Sequence, residues 1–466
     1  MTGANFSGAY LKGAVFDNAI ITGANFSNTA NRDDGGTIRL ESFTFAQLCS
    51  TKSYKDKDLS GIKLIGNKDM ISWDFSGQNL TSADFSVGIY DRANISKSNF
   101  TGANLTGASF QSTTANSVNF TDANLSGANF FGTDMTGANF TDAIIKNANF
   151  SKGERGGISK SQLYSTKSYK DGDLCGINFT ANDMSGFDFS GKNLSDCEFS
   201  SADGVSDVNF SNANLSAANF EATTLRNLDF TGANMMSANL YWASMEGGVD
   251  FTRADLRGAN MEHIMGSYTV KNTIMSDGVI QNFSMNSSAD SFSIRKYTPL
   301  TEDGEAISAK IAQNASIMGG AELTLETGAC LEVVDGAVLS LENGSSIMVN
   351  TDVDASTLFE IDENSGLVFE AGAVLEINLD ETIRALDTYT FSVITWQENS
   401  SIAGLDSLVK GETLLLSING ERFSGNWDYV LSNNQLAVSL QIPEPSTYAA
   451  IFGVLAIAFA VYSRRR

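Results

Sequence analysis

The sequence predicts an all-β protein, in which two successive regions consist of stacked coils and a short hydrophobic helix ends the chain. Three observations carry this prediction. A large apolar residue recurs every five residues in the first half, glycines recur every eight residues in the second half, and an apolar stretch precedes three terminal arginines. A period of five fits neither an amphipathic helix nor an alternating strand, so the chain must turn once per repeat.

The five-residue repeat is clearest from Met70 to Phe150, where large apolar residues keep one phase. Alanine is the commonest residue two positions earlier, as in the stretch ANLTG at 103–107. Residues two apart in extended backbone share a face, so we expect both to point into a core, with Gly or Asn at the bends. Cys197 replaces the alanine in one unit and is predicted to be a small core residue.

The pattern A(N/D)(L/F)(S/T)G, which covers 1–28 and 59–265, resembles the pentapeptide-repeat family. The resemblance implies a right-handed quadrilateral β-solenoid with four units in each coil. It also implies that the recurring phenylalanines are core residues.

Two related segments interrupt the repeat. Residues 47–59 read QLCSTKSYKDKDL and residues 162–174 read QLYSTKSYKDGDL, which indicates a duplicated module. Ser161 is predicted to cap a short helix that covers one side of the solenoid. The alternative is a binding patch for an acidic polymer, formed by Lys167, Tyr169 and Lys170.

Glycines eight residues apart punctuate the second half, and each precedes a short alternating run: Gly320, Gly328, Gly336 and Gly344. This pattern predicts stacked strands, in a second, irregular β-solenoid or β-rich domain. Residues 300–442 hold 23 acidic and four basic side chains. Calcium binding by outward carboxylates is a weaker alternative, because no EF-hand pattern is present; the candidates are Glu322, Glu326, Glu332, Asp335 and Glu342.

The tail holds Pro443, Glu444 and Pro445, then an apolar stretch at 448–462, then the terminal arginines. Fifteen helical residues reach only ~22 Å, which is short for a hydrocarbon core of ~30 Å. The arginines would stay on the cytoplasmic side and leave the preceding chain outside. The prolines would keep their segment extended and accessible to an enzyme.

This order of features resembles the PEP-CTERM sorting signal of exopolysaccharide-producing bacteria. The resemblance implies recognition and processing by an exosortase-like membrane enzyme, with Pro443, Glu444 and Pro445 as the recognised residues. The membrane stop would be Arg464, Arg465 and Arg466. An ordinary tail anchor is the alternative. The expected partners are that enzyme, the membrane, and exopolysaccharide or other surface proteins.

Met1 already lies within a repeat, and no charged start or apolar signal segment precedes the repeats. We therefore expect the natural protein to begin upstream. The segments predicted along the chain are repeats at 1–28, 59–150 and 174–265, inserts at 29–58 and 151–173, a transition at 266–304, an acidic β-solenoid-like domain at 305–440, and the sorting signal with its transmembrane segment at 443–466.

The composition narrows the possible functions. His263 is the single histidine, so no multi-histidine metal site can form, and the four cysteines contain no CxxC pair. A formal net charge of −24 excludes general nucleic-acid binding by phosphate neutralisation. The sequence therefore predicts a non-enzymatic structural or adhesive protein without metal or cofactor. It would be exported to the cell surface or extracellular matrix.

Two other functions are weighed against this one. Some pentapeptide-repeat proteins resemble duplex DNA, so the first is a cytoplasmic DNA mimic acting on a topoisomerase. The second is a β-helix carbohydrate-active enzyme, for which Glu262 and His263 form a candidate pair. Three other carboxylates lie beside repeat positions without an evident cluster: Asp84, Asp122 and Asp255.

Overall fold

In the computed structural model the chain separates into two compact units. The first comprises Met1–Phe251 and Ala259–Thr269, and the second Thr252–Gly258 and Val270–Arg466. The structure describes residues 1–28, 43–68, 70–87, 93–153, 156–201, 205–285, 290–297, 307–351, 359–379, 388–397, 400–403, 408, 410, 412–418, 421–423, 427–432 and 435–441.

The first unit is a stack of coils held by parallel β-bridges between residues twenty positions apart. Asn119, for example, bridges to Asn99 on one side and to Asn139 on the other. The N–H of Phe100 donates to the carbonyl of Asn119 at 2.7 Å. Each such coil therefore holds four five-residue units, which is a β-solenoid-like arrangement.

Each repeat bends at its last residue, which adopts a left-handed backbone conformation. Gly102 has φ 64° and Asp122 has φ 56°. The turn is closed by the N–H of Ala103, which donates to the carbonyl of Phe100 at 3.0 Å. Glycine reaches this conformation without strain, and Asn and Asp reach it more readily than other side chains. This explains why the last position of the repeat often carries one of these three residues.

The predicted core residues are buried as columns of stacked rings. The Phe120 ring lies 5.4 Å from that of Phe100 and 5.1 Å from that of Phe140, with the rings stacked. Phe110 and Phe130 belong to a second column, whose rings meet Phe120 edge to face at 5.5 and 5.6 Å. Both geometries are favourable for aromatic rings. The predicted core role of the repeat phenylalanines is confirmed.

The two interruptions of the repeat form closely similar helix pairs. Gln162 Nε2 donates to the carbonyls of Met135 and Ala138, at 2.9 and 3.2 Å, and Gln47 does the same at its own coil. The buried leucine after each glutamine covers the core. The helices are α1 Phe45–Ser50, α2 Lys52–Lys55, α3 Lys160–Ser165 and α4 Lys167–Asp171.

The predicted helix cap at Ser161 is wrong by two residues. Ser159 is the N-cap of α3, and its hydroxyl accepts from the N–H of Gln162 at 3.3 Å. The Gln162 side chain in turn accepts from the N–H of Ser159 at 3.0 Å, which completes a capping box. Ser161 lies inside the first turn, where it cannot satisfy these backbone donors.

The first unit also contains a four-stranded parallel sheet, in which the buried Leu225 pairs with Val205 on one side and Met245 on the other. Its strands lie in chain order: β1 Val205–Ser206, β2 Thr224–Arg226, β3 Ser244–Asp250 and β4 Met265–Thr269.

The second unit begins with a two-stranded antiparallel sheet of β5 and β6, and from β7 onward its described strands belong to three further sheets. In β10, β11 and β12, for example, Leu323 pairs with Ile347, Leu331 with Phe359, and Leu339 with Leu367, all in parallel. The strands are β5 Thr273–Ile274, β6 Ile280–Gln281, β7 Ser291–Ile294, β8 Ala309–Ile311, β9 Ala315–Ile317, β10 Glu322–Leu325, β11 Leu331–Val333, β12 Val338–Leu341, β13 Ser346–Thr351, β14 Phe359–Ile361, β15 Gly366–Phe369, β16 Val374–Leu379, β17 Thr388–Trp396, β18 Ser401–Ala403, β19 Leu414–Ile418, β20 Glu421–Arg422, β21 Trp427–Ser432 and β22 Gln435–Gln441.

The eight-residue spacing of the glycines correctly predicted the strands that follow Gly320, Gly328, Gly336 and Gly344. All four glycines have φ between 75° and 89°. The arrangement is more regular than the predicted irregular solenoid, because one strand goes to each sheet in turn. The parallel order ends in antiparallel pairs, β17 with β22, β21 with β22 and β19 with β20. This antiparallel end lies within the region for which the sequence predicted a β-rich domain.

A buried ion pair lies in the second unit. Arg257 and Asp255 are each 1% exposed, and Arg257 Nη2 lies 2.7 Å from Asp255 Oδ2. The same guanidinium donates to the carbonyls of Ile307 and Arg295, at 3.1 and 2.6 Å. Because its donors are paired, the buried charge is compensated. Asp255 thus has a structural partner that the repeat pattern did not reveal.

Candidate functional site

Polar side chains on the outward faces of the repeat coils hydrogen-bond to one another. Asn119 Nδ2 donates to Thr101 Oγ1 at 2.9 Å, and Asn139 Nδ2 donates to Thr121 Oγ1 at 3.0 Å. Thr121 Oγ1 also donates to Asn119 Oδ1 at 2.6 Å. Such ladders satisfy the polar side chains between coils and leave a repetitive neutral surface.

The predicted patch for an acidic polymer is largely neutralised by its own neighbours. Lys167 Nζ lies 2.9 Å from Asp171 Oδ2, and Lys170 Nζ lies 2.8 Å from Asp142 Oδ1. The hydroxyl of Tyr169 donates to a backbone carbonyl at 2.7 Å, and burial raises the pKa of this phenol above its usual value. The three residues come together, but as a structural cover rather than as free cations.

A polar groove of about 410 Å³ opens on the first unit. Its lining includes Lys152, Asp183, Ser185 and Arg226. Hydrogen bonds from Ser185 lower the pKa of Asp183, and Arg226 is ion-paired with Glu246. The groove thus carries charges of both signs, and the Ser185 hydroxyl lies beside a carboxylate whose lowered pKa makes it a weak base for activating a nucleophile.

Among the described residues, one group has the composition of a metal site. Cys330, Glu332 and Glu360 place one ligand atom each within 4.8 Å of the others. Burial raises the pKa of the Cys330 thiol to about 11, so a metal ion would have to displace its proton on binding. Lys310 is the register partner of Glu332 in the neighbouring strand. The cost of deprotonating the thiol and the nearby lysine both weigh against a metal centre.

The carboxylates considered for catalysis are dispersed. Asp84 Oδ1 accepts from the N–H of Ser86 at 3.0 Å, and Asp122 occupies a left-handed bend. Asp255 is paired with Arg257. Of the predicted calcium ligands, Glu322 and Glu332 lie on strands between buried positions, whereas Glu326, Asp335 and Glu342 lie in the turns that follow the strands. Cys197 is fully buried and its thiol donates to the carbonyl of Leu174 at 3.1 Å, which confirms its core role.

His263, one member of the candidate catalytic pair, lies beside two aromatic rings. Its ring centroid lies 5.5 Å from that of Tyr241 and 5.2 Å from that of Trp242. Trp242 is 50% exposed. The prediction from sequence missed this aromatic cluster, although adjacent Tyr and Trp at outward repeat positions were the available signal.

The predicted sorting residues lie outside the described residues. This applies to Pro443, Glu444 and Pro445, to the apolar stretch, and to Arg464, Arg465 and Arg466. Within the part of the chain that the structure describes, no helix has the length and apolar character needed to cross a bilayer.

The family model for pentapeptide repeats matches the chain in eight copies, over residues 1–30, 91–122, 123–153 and 206–241. The chain therefore carries pentapeptide repeats on a β-solenoid-like fold. No curated protein matches it significantly.

Two solved structures are similar to parts of the chain. HetL, a pentapeptide repeat protein involved in heterocyst differentiation regulation from the cyanobacterium Nostoc sp. strain PCC 7120, is 21% identical, over 52% of this chain and 100% of HetL, with a TM-score of 0.24. Trypsin-treated QnrB1, a plasmid-mediated fluoroquinolone resistance protein, is 16% identical, over 46% of this chain and 83% of QnrB1, with a TM-score of 0.18. The function of this chain must therefore be argued from its own residues.

Proposed function

We propose that this protein is a non-enzymatic structural or adhesive protein that is exported and sorted by an exosortase-type system. Its destination would be the cell envelope or an exopolysaccharide matrix. The observation that carries the proposal is the order of features at 443–466, a Pro-Glu-Pro motif, a short apolar stretch and three arginines. We further propose that the repeat coils form the right-handed quadrilateral solenoid typical of such repeats.

The tail chemistry explains how sorting would proceed. Pro443 and Pro445 disfavour helical backbone around Glu444, so the motif stays extended and open to a membrane enzyme. The apolar stretch enters the bilayer, and the arginines stop transfer on the cytoplasmic side. Processing near the motif would then release the body from the membrane.

The described residues of the first unit support a scaffold role. Buried rings and alanines occupy the inward positions, and the outward amides and hydroxyls bind each other between coils. A body of this kind resists local opening and offers a repeated polar surface for contacts. It needs no catalytic group to act as a spacer or an adhesive surface.

The test is the intact mass and C-terminal peptide map of the protein from its native host, together with cell fractionation. We expect loss of the residues that follow the motif and a body outside the cytoplasm. The Glu444→Ala variant should retain Arg466 and remain with the membrane, whereas the matched Ser446→Ala control should be processed normally. An intact Arg466 on a soluble cytoplasmic protein would overturn the proposal and favour the DNA mimic.

A further inference from the structure

An aromatic cluster lies on one face of the first unit, across two successive coils. Tyr241 and Trp242 occupy the two outward positions of one repeat, and His263 lies in the next coil. The three ring centroids are 5.2 to 6.2 Å apart. Trp242 is half exposed, and His263 is exposed. The cluster therefore presents ring surface to solvent.

Core packing does not explain these rings. Many other repeats hold small residues at the equivalent outward positions, such as Ser211 and Asn212 in one unit. Trp242 and His263 also adopt left-handed backbone, with φ 59° and 58°. A bulky side chain is disfavoured in this region, and glycine or asparagine would fit it better. This backbone is the ordinary bend of a repeat, so the unusual feature is the size of the two side chains placed there.

Carboxylates flank the cluster along the stacking direction. The N–H of Ala222 donates to the carbonyl of Tyr241 at 2.9 Å, and that of Trp242 donates to the carbonyl of Glu262 at 3.2 Å. This register puts Glu221, Tyr241 and Glu262 at equivalent positions of three consecutive coils. Both glutamates are exposed, and each can accept hydrogen bonds from ligand hydroxyls.

From this juxtaposition we propose that Tyr241, Trp242 and His263, with Glu221 and Glu262, form a binding site for a neutral polysaccharide. Sugar C–H groups stack on the electron-rich faces of aromatic rings, and the carboxylates accept from the hydroxyls at the rim. The flanking charges, on a chain of net charge −24, oppose an acidic polysaccharide.

The geometry of the rings favours a neutral sugar over an organic cation as the ligand. An aromatic cage for a quaternary ammonium needs rings that face each other across an open space. Here Trp242 and His263 are tilted by only 34°, and Tyr241 meets both of them edge to face, at 80° and 72°. Trp242 and His263 therefore offer the platform, and Tyr241 packs against it without leaving an open space between the rings. The glutamates alone would attract a cation, but without the cage there is no selectivity for it.

The biological setting of this site rests on the proposed export, but its test does not. The purified full chain is run in native gels that contain hydroxyethyl cellulose, xyloglucan, galactomannan or dextran, with alginate as the acidic comparison. We expect retardation by at least one neutral polymer and none by alginate. Trp242→Asn, which suits the left-handed backbone, should weaken retardation at least tenfold. Tyr241→Ser, which restores a common repeat residue, should weaken it several-fold.

Phe131→Ala provides the matched control, because Phe131 is also an outward aromatic residue of a repeat and is 39% exposed. It should bind as the parent does, and circular dichroism should show all three variants folded. Absence of retardation by all four neutral polymers, equal retardation by alginate, or unchanged binding by both cluster variants would overturn the proposal. A binding protein that is neither exported nor processed would overturn the proposed function alone.

Discussion

At the residue scale, stability of the first unit depends on side chains that each contact the coil before and the coil after. Phe120 stacks on Phe100 and Phe140 in its own column and meets Phe110 and Phe130 edge to face. It is fully buried. Removing one ring therefore opens a cavity bounded by three coils, which the neighbouring turns cannot collapse to fill.

The Phe120→Ala variant should lose roughly 3–5 kcal/mol of unfolding free energy, because the buried ring is removed and a cavity remains. Urea unfolding followed by far-UV circular dichroism measures this loss. Phe131→Ala is the control, since its ring is largely outside the core and its loss should stay within about 0.5 kcal/mol. Equal effects of the two substitutions would show that the column is not the source of stability.

At the element scale, the duplicated helix pairs are attached to their coils by repeated polar contacts. Each first helix begins with a capping box, at Thr44 in one copy and Ser159 in the other. A glutamine at the third helical position also reaches two carbonyls of the neighbouring coil. The same few residues thus start the helix and fix it over the core.

Replacement of Ser159 by alanine should cost about 1 kcal/mol, because the first turn loses its side-chain acceptor. Ser161→Ala removes a hydroxyl of the same kind two residues later and should cost clearly less. The comparison can be made by thermal unfolding of both variants at one pH. A larger effect at Ser161 would mean that the cap has been assigned to the wrong serine.

At the scale of the whole molecule, the acidic excess is concentrated in the second half of the chain. Glu332 and Glu360 are partners in the register of two parallel strands, and Lys310 is the partner of Glu332 on its other side. Burial, and then the charge of Glu332, raise the pKa of Glu360 above its ordinary value. Burial of the Glu360 charge, together with repulsion from Glu332, therefore opposes folding at neutral pH.

A raised carboxyl pKa contributes stability that is present below the unfolded pKa of about 4.5 and is lost as pH rises through the folded value. The Glu360→Gln variant should therefore be more stable than the parent at pH 7, by about 0.2–1 kcal/mol. The two should converge as pH falls towards 4. Glu332→Gln should gain less, because it also loses attraction to Lys310. Thermal unfolding from pH 4 to 8 tests this, and a gain that persists at pH 4 would contradict it.

Local patterns predicted much of this architecture. The period of five placed Phe120 in a core, and the eight-residue glycine spacing located the strands that follow Gly320 and Gly328. The local patterns failed where the hydrogen-bond partner of a side chain comes from a part of the chain that is distant in sequence. Arg257 and Asp255 are close in sequence, but the carbonyls of Ile307 and Arg295 that complete their burial are not. The helix cap was misplaced because Ser159 and Ser161 both stand shortly before Leu163, and the prediction chose the nearer serine.

The sequence by itself determined the repeat, its inward residues and its left-handed bends, because each depends on residues within one five-residue unit. It also supplied the tail motif on which the proposed sorting rests. Only the tertiary structure decided which side chains of different coils meet, since stacking brings together residues about twenty positions apart. That is why the cluster of Tyr241, Trp242 and His263, and the neutralisation of Lys170 by Asp142, became evident only once the coils were assembled.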